Sequence, residues 1–297
     1  MKQIAFALLA GTLALASSCK KEDLGPRPTD LDRSTVTATP AEGSILLNWR
    51  IPENVSYQYV RVTYTHPETK QLVTKLASSY SDSLRVDNLL ARYGEIQFTL
   101  QPFTKQGAEG TAIQIAATAK AKPRVEQITP TKLSITDANV FVSHPEATEG
   151  PKAGLVDEDD NSFYHENWHA PLAPMPHYIV YKLPKAVKNF SFYMKGRNNA
   201  GRLNPEVMDI YVSDSFDGTF DPEANKAVLA KELTELPSGQ AAAYTSPNIR
   251  MDKAYNYVWF KIKKVYNDRL FAAIAALHIS ELSISIYDPE TGKTTNE

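Results

Sequence analysis

Ile96-Gln97-Phe98-Thr99-Leu100 alternates apolar and polar residues without a break, and Ile45-Leu46-Leu47-Asn48-Trp49 places Ile45, Leu47 and Trp49 at every second position. A period of two puts those side chains on one face of an extended chain, so both runs are predicted as half-buried strands. Working outward, similar short runs lie near 35–39, 58–65, 72–76, 83–86 and 112–118, with 44–49 and 96–103 containing the two quoted. Gly43, Pro52, Pro67, Gly94 and Gly107 fall between them, where turns are needed. Seven strands in roughly 90 residues predict an antiparallel sandwich. Beyond Ala121-Lys122-Pro123-Arg124 the chain is again rich in strand signals, firmest at 178–183, 189–195, 207–213, 258–264 and 278–286. Helix is expected only at 222–233 and 272–276, the first having alanines, lysines and glutamates of good helical propensity.

The chain has 297 residues, which suggests about two domains. Its 42% hydrophobic and 22% charged residues exclude wholesale disorder. Lys plus Arg number 32 against 34 Asp plus Glu, so the basic excess of a nucleic-acid binder is missing. One cysteine excludes an internal disulfide and a cysteine-based zinc finger.

That cysteine has a particular address. Lys2 supplies a positive start, residues 4–16 are apolar, and Leu15-Ala16-Ser17-Ser18-Cys19 follows. The apolar stretch is short for a membrane span, which needs about 20 residues. The pattern resembles the lipobox of bacterial lipoproteins, which implies a signal peptide over 1–18, acylation of Cys19 and membrane attachment through the lipid. Lys20-Lys21-Glu22-Asp23 looks like the surface-export signal of Bacteroidetes lipoproteins, and a solvated tether accounts for it nearly as well. The resemblance implies an outer-membrane protein facing the cell exterior. Residues 19–32, with Gly25, Pro26 and Pro28, are expected to be an extended linker.

Gly43-Ser44-Ile45-Leu46-Leu47-Asn48-Trp49-Arg50-Ile51-Pro52 resembles the second strand of fibronectin type III domains, and 97–110 the sixth strand with its hairpin. Ile96 stands where that family's corner tyrosine would fall, so the hydroxyl bond of that corner is lost. The resemblance implies a spacer over 33–122 with Trp49 in its core.

Asp157-Glu158-Asp159-Asp160-Asn161-Ser162 sets four carboxylates side by side. Such a run is either a solvated turn or an oxygen-rich cation loop suited to Ca²⁺, which takes about 6–8 oxygens. Its surroundings bear on the choice. Gly154-Leu155-Val156-Asp157 precedes Ser162-Phe163-Tyr164-His165, then come His177-Tyr178-Ile179-Val180-Tyr181, Arg197, Asp209-Ile210-Tyr211-Val212-Ser213, and Ile279-Ser280-Glu281-Leu282. This order, over about 131–287, resembles the discoidin family, which includes coagulation-factor C-type domains and galactose-type carbohydrate-binding modules. The resemblance implies a discoidin-like jelly-roll over 123–290, leaving 291–297 as a tail. It also implies a structural Ca²⁺ held by Asp157, Asp159 and Ser162, by the carbonyls of Gly154 and Ser280, and by Glu281. Glu158 departs from the family's usual Gly, and Tyr164 from its usual Trp.

The resemblance further implies a sugar site. A pyranose offers an apolar C–H face and a rim of hydroxyls, so it needs an aromatic surface and forked donors. Arg197, after the aromatic run 190–193, and Asn204 match the family's donors, with Asn198 and Arg202 as near alternatives. The loop of Tyr266 and Phe271 would supply the aromatic surface, and Trp168 or His165 the far side. Against this, Arg197 could make a loop-stabilising ion pair, and Trp168 could pack on the core edge.

His165-Glu166-Asn167-Trp168-His169 is formally H-E-x-x-H, a zinc-protease pattern when carried on a helix. Pro171, Pro174 and Pro176 follow at once and prevent a continuing helix. No G-x-S-x-G elbow, P-loop or dinucleotide fingerprint is present. Two all-β domains are expected: a fibronectin type III-like sandwich, then a discoidin-like one that binds a glycan or polysaccharide without catalysis. The alternative is a surface module for protein interaction or assembly; a zinc metalloprotease is a remote third.

Overall fold

The computed structural model describes residues 24–157, 159, 161–199 and 203–297. Cys19 and the lipobox lie outside the described residues, as do Glu158, Asp160 and Arg202. Among the described residues the structure is all-β, and helix is confined to 3-10 turns of three or four residues. Two units are present. The first runs up to Pro123 and takes in Pro289–Thr291; the second comprises Arg124–Asp288 and Gly292–Glu297.

In the first unit the strands are β1 (Thr37–Ala41), β2 (Ser44–Asn48), β3 (Tyr59–Thr65), β4 (Leu72–Ser78), β5 (Ser83–Asp87), β6 (Ile96–Phe103) and β7 (Ile113–Ala117). They form two antiparallel sheets, β1-β2-β5 and β4-β3-β6-β7. The predicted alternation is what closes them: Ile45, Leu47, Val60, Val62, Phe98 and Leu100 point inward and meet Trp49 in one core. Gly43, with φ at +60°, makes the tight turn from β1 to β2. The expected linker is only partly one. Leu31 is buried in this core, the Thr29 hydroxyl donates to the Asn54 carbonyl, and Asp30 accepts from the Thr111 amide. Burial of one leucine and these local bonds tie the segment down despite its prolines.

In the second unit the strands are β8 (Val125–Lys132), β9 (Val140–Val142), β10 (Tyr164–His165), β11 (His177–Gly196), β12 (Pro205–Ser213), β13 (Val228–Leu233), β14 (Ala243–Thr245), β15 (Ile249–Val265), β16 (Ala273–Asp288) and β17 (Lys293–Asn296). They follow one ladder, β10-β16-β11-β15-β12-β13, with β8 and β17 added to β16, and β9 and β14 to β11. The runs 178–183 and 189–195 are two arms of the single strand β11. Its first arm pairs with β15 from His177↔Ile262, and its second with β16 from Phe190↔Glu281. Register shifts between Lys182, Val187 and Asn189 accommodate Pro184, which has no N–H for a ladder. Phe190, Phe192, Met194, Ile179, Phe260 and Ile279 fill the core between the arms. Tyr181 is fully buried among them and donates its hydroxyl to the Leu277 carbonyl at 2.8 Å.

Both expected helices are overturned. Residues 222–226 make a turn that ends with Lys226 at φ +51°, and 228–233 pair with β12 from Val212↔Val228 to Met208↔Leu233. Residues 272–276 are buried, and Ala273 and Ile274 open β16 opposite β10. Tertiary pairing outweighs an intrinsic preference of a few tenths of a kcal/mol per residue, roughly. The expected tail at 291–297 is corrected too, because Lys293–Asn296 pair with β16.

Candidate functional site

The 3-10 turn Lys152–Leu155 brings Gly154 against the backbone of Phe163, where a Cβ would stand 2.6 Å from the Phe163 carbonyl carbon. Tyr164 then turns inward and is fully buried, so Phe163 and His165 project to the other side. Pairing of Tyr164 with Ile274 and of His165 with Ala273 brings Phe271 alongside. The His165 ring lies 5.6 Å from that of Phe271 and 6.3 Å, edge-on, from that of Phe163. Gly196, the last residue of β11, pairs with Ile274 on the same stretch of β16, and Arg197 follows. The Arg197 guanidinium carbon sits 3.5 Å above the Phe163 ring centroid. Three separated segments thus converge on aromatic faces capped by a planar charged donor, a cation–π arrangement.

His165, Arg197 and Phe271 of the expected sugar residues are therefore brought together, with Phe163 as the member that joins them, but His165 is buried at 3% exposed and does not close the far side as expected. The other three are not. Asn204 is 2% exposed; its Oδ1 accepts from the Gly239 amide at 3.2 Å and its amide nitrogen packs on Gly196. It braces the loop rather than facing solvent. The Tyr266 hydroxyl is committed to the Leu236 carbonyl. Trp168 is 45% exposed, not packed on the core edge, and its ring lies on His169 at 4.1 Å. Asn198 is exposed and accepts from the Gln240 side chain. Phe163 had a signal in the sequence, since it alternates with Tyr164 and His165 as strand residues do, but the four neighbouring carboxylates dominate that stretch.

The expected calcium ligands are gathered at one end only. Ser162 Oγ lies 2.7 Å from Asp157 Oδ1 and 3.0 Å from the Asp159 carbonyl, and the Asp159 amide donates to Asp157 Oδ1 at 3.2 Å. The far end is otherwise engaged. Glu281 meets Lys185 Nζ at 2.7 Å, and Ser280 stands in the ladder between Ser191 and Lys132. Among the described residues no group of three or more His, Cys, Asp or Glu side chains is placed to hold a metal ion. Asp157, Asp159 and Ser162 are bonded to one another, and Glu281 does not join them.

The H-E-x-x-H run is extended, not helical. His165 lies on β10, and its Nδ1 meets the Glu166 carbonyl at 2.6 Å. Glu166 is fully buried; its Oε2 accepts from the Ala272 amide at 2.7 Å and from His177 Nδ1 at 3.0 Å. His144 stacks on His177 at 4.0 Å. Burial holds the His144 imidazole below its ordinary range, and His177 adds to the effect. Burial, then the Glu166 charge, pushes the Tyr164 hydroxyl upward. His169 instead lies by Glu146, 3.7 Å from Nε2 to Oε2. The two histidines of the motif thus serve different neighbours, and Glu166 is a buried clamp between β10 and the start of β16.

No family model matches the chain, and no curated protein sequence matches it. Among solved structures it is similar to CpGH89CBM32-5 from Clostridium perfringens, in complex with GalNAc-beta-1,3-galactose. That likeness has 16% identity and a TM-score of 0.40, covering 50% of this chain and 99% of that one. It is also similar to the family 32 CBM of C. perfringens NanJ in complex with galactose, at 17% identity and TM-score 0.37, covering 51% and 100%. A longer match is to the SusE-like protein BT2857, at 12% identity and TM-score 0.36, covering 84% and 96%.

Proposed function

We propose that this chain is a non-catalytic carbohydrate-binding lipoprotein of the cell surface. The acylated Cys19 would anchor it to the outer membrane, residues 33–122 would act as a fibronectin type III-like spacer, and the discoidin-like unit would take the sugar. The observation that carries this reading is Arg197 stacked over Phe163 beside His165 and Phe271. Flat apolar rings suit the C–H face of a pyranose, and a guanidinium that lies along them can direct its N–H edge at ring hydroxyls. The split of strands one, two and five against four, three, six and seven supports the spacer assignment.

The test is calorimetric titration with galactosides, N-acetylated sugars and plant or host polysaccharides. Arg197→Ala should lose about 1.5–3 kcal/mol of binding, the range for hydrogen bonds from a charged group. Phe163→Ala and Phe271→Ala should each weaken binding as well. Binding untouched by all three substitutions would put the sugar elsewhere. No binding to any glycan would favour a protein-interaction module instead. Calcium belongs to the proposal with Asp157, Asp159 and Ser162 as its holders, in a structural role.

A further inference from the structure

Along β15, Val258 and Phe260 face the core, so Tyr257 and Trp259 face the other side of the sheet. The loop after β12 folds back over this side. Phe216 sets its ring edge-on to Trp259 at 5.2 Å and gathers Phe141 at 4.9 Å, Phe220 at 5.5 Å and Tyr257 at 6.2 Å. Phe141, Phe216, Phe220 and Tyr257 line a cleft of 780 Å³, with Trp259 buried behind Phe216. That volume and an aromatic lining with few polar groups are those of a small-molecule pocket, about 300–1,000 Å³.

The loop is built to hold its shape. Asn225 is 5% exposed, and its amide nitrogen reaches Asp217 Oδ1 at 3.1 Å and the Asp221 carbonyl at 3.0 Å, while its oxygen accepts from the Asp217 amide. A buried asparagine spent wholly on this loop fixes Phe216 and Phe220 before any ligand arrives. The charged groups of the cleft divide clearly. Lys152 donates to the Val140 carbonyl at 2.7 Å. Asp217 accepts through Oδ1 from the Thr219 amide and hydroxyl. Lys182, exposed on β11 at the cleft's edge, has no ion-pair partner among the described residues.

We propose that this cleft is a binding site for a flat apolar anion, an aromatic carboxylate, whose ring lies in the cleft against Phe216, Phe220 and Tyr257 and whose charge meets Lys182. It shares no residue with the proposed sugar site and does not depend on it.

The probes are cinnamate and its uncharged methyl ester, titrated calorimetrically into the full chain. Cinnamate should bind more tightly than the ester at low salt, by about fivefold, the upper end for an exposed ion pair. Lys182→Gln should erase that difference, as should molar salt, and leave the ester's affinity unchanged. Phe220→Ala should weaken both ligands by about tenfold, through lost ring contact. Lys182 is solvent-facing, so its replacement tests the charge without disturbing the fold. Arg197→Ala should change neither affinity. Equal affinity for acid and ester, undiminished binding in Phe220→Ala, loss of binding in Arg197→Ala, or no binding of either probe overturns the proposal.

Discussion

Replacing Glu166 by alanine separates a structural clamp from a catalytic base. The carboxylate is fully buried and holds two donors, the Ala272 amide at 2.7 Å and His177 Nδ1 at 3.0 Å. Alanine strands both in an apolar setting, and each buried donor left without an acceptor costs about 1–3 kcal/mol. The two donors together put the loss at about 2–6 kcal/mol. For a unit of this size each kcal/mol moves Tm by about 2–4 °C, so Glu166→Ala should lower the second unit's melting temperature by roughly 4–24 °C. Glu166→Gln keeps a carbonyl oxygen for one donor and should cost about 1–2 kcal/mol. Because Glu166 and Ala272 adjoin His165 and Phe271, both variants should also weaken any glycan bound there. Scanning calorimetry of the full chain reads the effect directly. A shift under about 2 °C for the alanine variant would refute the clamp, since even one stranded donor exceeds it.

Three further outcomes are expected. Cys19→Ala should release the protein from the membrane fraction on cell fractionation; retention there would overturn the lipid anchor. Added Ca²⁺ should raise the second unit's Tm, because a ligand of the folded state alone stabilises it by mass action, and Asp157→Ala should abolish the rise; unchanged melting in both would leave residues 157–162 as a self-bonded turn. His144, held below its ordinary pKa of 6.5 by burial and then by His177, resists protonation in the fold. The unfolded chain therefore binds the extra proton, so stability is full above that ordinary value and falls as pH drops from it toward the depressed one. His144→Gln should flatten this part of the pH-stability curve, and an unaltered slope would assign it to other groups.

Most strands were legible because one face of each is buried, and burial writes a period of two into the sequence. β6 occupies 96–103 in both the expectation and the structure. The failures have two causes. Ala272 to Ala276 carries helical propensity, but the segment is locked by pairing with β10, a partner more than a hundred residues earlier. β9, β14 and β17 are three or four residues long and belong to edges, too short for periodicity to register. In the candidate site, the placement of Arg197 and Phe271 near one another was reachable through a family resemblance. Asn204 matched the same pattern yet turned inward, because the loop leaving β11 needs a brace against Gly196. Residue type alone does not say which way an asparagine faces.

The ladder between β8 and β16 has a mechanical consequence. The chain enters the second unit at the Val125↔Tyr287 end of that ladder, and β16 runs from there to its first residue, Ala273, two positions from Phe271. Sixteen residues of strand span up to about 50 Å. Tension applied between Val125 and the start of β16 loads β8 and β16 along their length. The bonds from Lys132↔Ser280 to Val125↔Tyr287 then bear the force side by side and must slip together, instead of opening one after another like a zipper. A ladder loaded in this way resists tension better than one that opens from a single end.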